Sequence, residues 1–125
     1  MIMMLALIMI VFAFFTNGVN LNSRNISNIL IQNSYILILA VGMLLIIILG
    51  NIDLSVGSVL AFVGALSAML YNLGIGMFLT VVLSIIIGLL IGVFQGFWIA
   101  YLKIPAFIVT LAGLSLFRGL TYIIT

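Results

Sequence analysis

Apolar residues come in long blocks along this chain, without the short alternations of a soluble fold. Residues 1 to 16, "MIMMLALIMIVFAFFT", form the first block. The polar stretch "TNGVNLNSRNISN" follows, with Asn and Ser where turns and helix caps use them. "ILIQNSY" then resumes an apolar pattern and is expected to be an interfacial segment with room for a short helix. From Tyr35 to Tyr71 the chain is apolar apart from "GNID", some Ser and scattered Gly. A single helix over that length would run roughly 55 Å, far beyond the hydrocarbon thickness of a bilayer. The run must break, and "GNID" is the place. Gly50 suits the left-handed residue after a helix C-terminus, and Asp53 suits the N-cap of the next helix.

Leu54 to Leu70 is predicted to be a short span. Its small residues Gly57, Ala61, Gly64, Ala65 and Ala68 recur at three- and four-residue steps, a face that another helix can approach closely. After the turn "YNLGIG" comes a long span, Met77 to Tyr101, in which Gly88, Gly92 and Gly96 repeat the small-xxx-small pattern and predict a second packing face. "YLKIP" ends it, because the residue before proline avoids helical geometry and Pro105 fits the first turn of the next helix. A fifth span starts there and carries Arg118. The expected fold is all-α, a polytopic transmembrane helix bundle with about five spans in a single domain, residues 1–125.

Composition agrees with the pattern. Hydrophobic residues make up 68% of the 125 positions and charged ones 3%, and mean hydropathy is +1.67, far from the roughly half-apolar, quarter-charged make-up of soluble domains. The charges are Arg24, Asp53, Lys103 and Arg118, too sparse to form a nucleic-acid surface, which needs clustered cations. The N-terminus lacks the basic leader and small-residue cleavage site of a signal peptide, so a retained helix is expected there. At Thr125 the chain stops inside an apolar run, and a longer protein is expected.

Cys and His are both absent, which leaves no thiol nucleophile, disulfide framework or imidazole ligand. With one carboxylate and no G-x-x-x-x-G-K-[ST] loop, neither paired acid–base chemistry nor nucleotide hydrolysis is expected, and no metal or other cofactor. The chain reads as a non-enzyme, whose transport energy would come from an ion gradient or a separate ATPase.

Asp53 is the sharpest candidate, because an ionisable group at membrane depth costs about 2.5 to 3.5 kcal/mol on insertion scales and marks pathways or helix breaks. A cap at the membrane boundary and a pathway residue are compatible readings. Arg118 lies deep in the last span, where a salt bridge, a snorkelling anchor and a pathway role all stand. Gln95 shares its helix with Trp98 and Tyr101, a set able to bond and stack on a sugar, though Trp and Tyr beside Lys103 also describe an aromatic belt.

Three stretches, "NISNILIQNSYILILAVGM" at 25 to 43, "GNIDLSVGSVLAFVGALSA" at 50 to 68 and "GVFQGFWIAYLKIPAFIVTLAGLSLFRGLT" at 92 to 121, closely resemble permease subunits of bacterial sugar-uptake ABC transporters of the ribose, xylose and multiple-monosaccharide type. The resemblance covers nearly the whole chain. It implies a multi-pass cytoplasmic-membrane protein, two copies of which line a pathway, with a cytoplasmic ABC ATPase subunit below and an extracytoplasmic sugar-binding protein above. Such permeases run to roughly ten helices, so this chain corresponds to an N-terminal half. Within the signature blocks, Asp53, Ser55, Gly57, Gln95 and Arg118 become candidates for the substrate pathway.

Rival readings are a branched-chain amino-acid permease of a related family, a small proton-coupled exporter built on one membrane carboxylate, and a non-transporting scaffold suggested by the glycine faces. An exporter's carboxylate belongs mid-helix, whereas Asp53 follows Gly50 and Asn51 at a break. With a cytoplasmic N-terminus, five crossings would put Arg24, Asn20 and Asn72 outside and both Asp53 and Lys103 at the inner face.

Overall fold

The apolar blocks become five α-helices in the computed structural model, which describes residues 1–125. They are α1 (Ile2–Phe15), α2 (Ser23–Ile48), α3 (Val56–Asn72), α4 (Met77–Ala100) and α5 (Ala106–Ile124), with a 3₁₀ turn at Val19–Leu21. The chain is all-α, as its block pattern predicts. Three helices, α2, α4 and α5, are long and apolar enough to cross a membrane. The 14 residues of α1 and 17 of α3 extend only roughly 21 and 26 Å, short of a roughly 30 Å hydrocarbon core. The chain divides into two compact units, Met1–Gly42 and Met43–Thr125, with α2 running through the boundary.

In the first unit, α1 is apolar on every side and exposes nearly all of it. The polar stretch after it serves the backbone. Asn20 Nδ2 donates to Met9 O at 3.0 Å and Thr16 Oγ1 to Phe12 O at 2.7 Å, tying the turn back onto the last two turns of α1. Asn22 then starts α2, its Oδ1 accepting the Arg24 N–H at 3.2 Å. The separate interfacial segment expected at "ILIQNSY" does not form, because α2 runs unbroken from Ser23 to Ile48. Polar residues survive inside it by bonding their own helix: Asn33 Nδ2 to Ile29 O at 2.8 Å and Ser34 Oγ to Ile31 O at 2.7 Å.

The predicted break is real. Gly50 has φ +73, and the N–H groups of Gly50 and Asn51 reach Ile47 O and Ile46 O at 2.9 and 3.1 Å. This is the Schellman pair of bonds that a left-handed residue makes possible.

In the second unit α3 is the central element, packed on both α4 and α5, while those two touch each other less. Ser55 just before α3 meets Gln95 of α4 (3.0 Å), and further along Ser67 meets Ser84 (2.5 Å), so α3 and α4 run antiparallel. Phe62 packs on Phe117 with ring centroids 5.6 Å apart, while Ser55 faces Gly113, so α3 and α5 run parallel. The fully packed positions are mostly polar: Ser55, Thr80, Gln95 and Thr110 against Ala106 and Phe117. Large apolar side chains point outward instead, as expected where the surroundings are lipid-like and hydrogen bonds hold helices together.

The small-residue face of α3 is mostly open in this chain: Gly57, Ala61, Gly64 and Ala68 are exposed and Ala65 is half-buried, while Ser55 and Phe62 meet α4 and α5. The hydroxyl bonds of Ser55 and Ser67 and the Phe62–Phe117 contact set the rotation of the helix. On α4, no atom lies within 4 Å of a Cβ built at Gly88, Gly92 or Gly96, so that face is open in this chain.

Candidate functional site

Asp53, Ser55 and Gln95 come together where α3 begins. Asp53 Oδ1 accepts both the Ser55 N–H and the Ser55 hydroxyl, each at 2.7 Å. Ser55 Oγ also lies 3.0 Å from Gln95 Oε1. Asp53 is therefore not the N-cap of α3, as the sequence suggests. Ser55 occupies that position, its carbonyl accepting the first helical N–H from Val59 at 2.9 Å. The physical reason is that Leu54 does not enter the helix, so the carboxylate closes a small loop on Ser55 two residues on, a charge-assisted Asx turn.

Ser55 is fully buried and has one proton for two acceptors. Gln95 is also buried, and its Nε2 has no hydrogen-bond partner. Rotating the amide about its last bond brings Nε2 onto Ser55 Oγ, where it donates while the hydroxyl serves Asp53 alone; both orientations fill the same space. Gly113 of α5 makes that space, since a Cβ there would collide with Gln95 Nε2 and lie 3.3 Å from Ser55 Cβ. Thr110, one turn earlier, has one proton for two carbonyls, Ala106 O at 2.8 Å and Ile52 O of the "GNID" loop at 3.3 Å, and the shorter contact is within its own helix.

The cluster is recessed. Gln95 lies five residues before Ala100, the last of α4, which is roughly 7.5 Å along the helix axis. Lys103 turns the chain between α4 and α5 with φ +52.

Gly57 and Arg118 come together elsewhere, both lining a groove of about 380 Å³ between α3 and α5. The set Gln95, Trp98 and Tyr101 does not converge. Trp98 sits edge-on to Phe94 and Phe97, Tyr101 stacks on Phe97, and Gln95 turns inward to Ser55. A second cavity of about 310 Å³ opens between α4 and α5, where the Gln95 amide and the Trp98 indole N–H are the polar side-chain groups among apolar walls such as Ile108 and Phe117. It would leave most hydroxyls of a sugar without partners.

Thr110, Gly113, Ser67 and Ser84 were not singled out from the sequence. A signal exists for the first two, a hydroxyl and a glycine three residues apart on one helix face; Ser67 and Ser84 carry none beyond being hydroxyls in apolar helices.

A family model described as "Branched-chain amino acid transport system / permease component" matches residues 25–125. Among curated proteins, the xylose transport system permease protein XylH of Escherichia coli is 45% identical over 126 aligned residues, covering 100% of this chain and 32% of that protein. The inner membrane ABC transporter permease protein YjfF of Escherichia coli is 45% identical over 83% of this chain and 32% of its own length. The ribose import permease protein RbsC of Haemophilus influenzae is 45% identical over 81% of this chain and 31% of its own. No solved structure matches. The chain thus spans about a third of the length of these relatives (32% for XylH). With a family match from the start of α2 to the last residue and relatives that are permeases throughout, this is a membrane protein that belongs to the family of branched-chain amino acid transport system permease components.

Proposed function

We propose that residues 1–125 are part of a single transmembrane permease domain in an ATP-driven importer of a monosaccharide, xylose-like or several sugars, in the bacterial cytoplasmic membrane. The observation that carries this reading is the alignment of the whole chain with 32% of XylH at 45% identity. The family description mentions amino acids, but XylH and RbsC bear the names of sugar systems, which favours a sugar. The exporter reading is disfavoured because the one carboxylate is engaged in a loop by Ser55 and not free along a helix.

On this reading the chain docks a cytoplasmic ABC ATPase, receives sugar from an extracytoplasmic binding protein, and pairs with a second permease copy. With a cytoplasmic N-terminus, Asn20 and Asn72 lie outside if the short helices α1 and α3 also cross, which requires the bilayer to thin around them. Purified from its native membrane, the full-length permease is expected to bring down an ATPase whose activity rises with sugar-loaded binding protein. Recovery without any ATPase, together with uptake driven by a proton gradient alone, would overturn the proposal.

The open face of Gly88, Gly92 and Gly96 is assigned to close packing within the assembled permease. Gly92→Leu is expected to reduce recovery of the assembled complex several-fold in size-exclusion chromatography while the ATPase subunit still binds ATP. Unchanged assembly would remove the packing role.

A further inference from the structure

We infer that the groove between α3 and α5 holds a neutral polyhydroxylated solute in passage, with Arg118 as its principal donor and the small side chains of α3 as its floor. The inference rests on the sugar-permease reading and gives it a place in the chain.

Three observations converge on this groove. Its volume, about 380 Å³, is that of a small-molecule site. Its floor is Gly57 and Ala61, both exposed and, at Gly57, with nothing within 4 Å of a built Cβ. Its polar groups are complementary to hydroxyls. Arg118 supplies up to five N–H donors and no acceptor. Ser58 and Thr121 already give their protons to their own helices, Ser58 Oγ to Ser55 O at 2.8 Å and Thr121 Oγ1 to Phe117 O at 2.7 Å, so what they present to the groove is lone pairs. Tyr122 adds a ring and a hydroxyl that can do both.

Charge decides the solute class. Asp53 is the one acidic side chain, is bonded to Ser55, and does not line the groove. An amino-acid zwitterion would find a charged partner for its carboxylate at Arg118, but its ammonium would find only the neutral lone pairs of Ser58 and Thr121, beside a fixed cation. A sugar brings only hydroxyls and a ring oxygen, each matched by a donor or lone pair already present. The cavity between α4 and α5 fares worse in the same comparison, having one amide, one indole N–H and otherwise apolar walls.

The test uses the full-length permease reconstituted with its ATPase and binding protein, cysteines elsewhere removed. Ala61→Cys is expected to react with a charged methanethiosulfonate at least ten-fold faster than Leu89→Cys, which is exposed on the apolar side of α4. Arg118→Gln and Ala61→Leu are expected to lower D-xylose uptake at least ten-fold, while stimulation of the ATPase by loaded binding protein stays within two-fold of wild type. If Ala61→Leu does not assemble, thiol reactivity and Arg118→Gln decide. An unreactive Ala61→Cys, or Arg118→Gln uptake within two-fold of a transporting wild type, overturns the groove and leaves the sugar permease standing. Wild-type uptake of L-leucine and not of pentoses or hexoses overturns both.

Discussion

Gly113→Ala in the full-length permease is expected to lower stability by about 1 to 3 kcal/mol, read as a fall in detergent melting temperature and in membrane yield. Two effects compete at this position. Alanine in a helix interior gains roughly 0.5 to 1 kcal/mol over glycine. Here its methyl would occupy the space of the Gln95 amide, which is buried and lies at hydrogen-bond distance from Ser55. Moving the amide breaks that contact and strands buried polar atoms, the larger of the two effects. Gly119 provides the comparison, because a Cβ there meets nothing within 4 Å, so Gly119→Ala should be neutral or slightly stabilising. The decisive measurement is the double-mutant cycle. Gln95→Ala should cancel part of the cost of Gly113→Ala, with a coupling of about 0.5 to 3 kcal/mol. Strict additivity would show that the collision is relieved some other way.

Asp53 is expected to separate shape from charge. Asp53→Leu removes the acceptor of two hydrogen bonds to Ser55 and leaves the N–H of a fully buried residue unpaired, a loss of about 1 to 3 kcal/mol. Asp53→Asn keeps an oxygen at the same place and should insert and melt close to wild type. If the carboxylate only shapes the turn, the Asn variant transports normally. Dead transport at normal expression in Asp53→Asn would instead assign a role to the charge itself.

Much of the fold was legible because hydrocarbon leaves few choices. Block length set the number of helices, and Gly50 with its neighbours marked the break at the correct residues. What stayed hidden depends on helix rotation. Glycine spacing on α3 and α4 identified surfaces able to approach another helix, yet spacing carries no information about which surface meets which partner; the hydrogen bonds at Ser55 and Ser67 decide that for α3. Likewise, "ILIQNSY", expected as an interfacial segment after the polar stretch, lies inside α2, where Asn33 and Ser34 are satisfied by their own helix. Asp53, Ser55 and Gln95 could be picked out singly. Their convergence, and the part of Gly113 in it, needed the three-dimensional register of α3, α4 and α5.

The shortness of α3 has a bearing on biogenesis. A 17-residue helix with hydroxyls along it is a poor substrate for insertion by itself. The groups that meet it arrive late, Gln95 being 40 residues after Ser55 and Phe117 of α5 following Phe62 later still. At ribosomal rates of about 5 to 20 residues per second, these partners follow roughly 2 to 11 s behind. During that interval α3 is best held at the translocon and released into lipid together with α4 and α5, so that a ribosome stalled between Asn72 and Phe117 would leave a nascent chain exposed to membrane quality-control proteases.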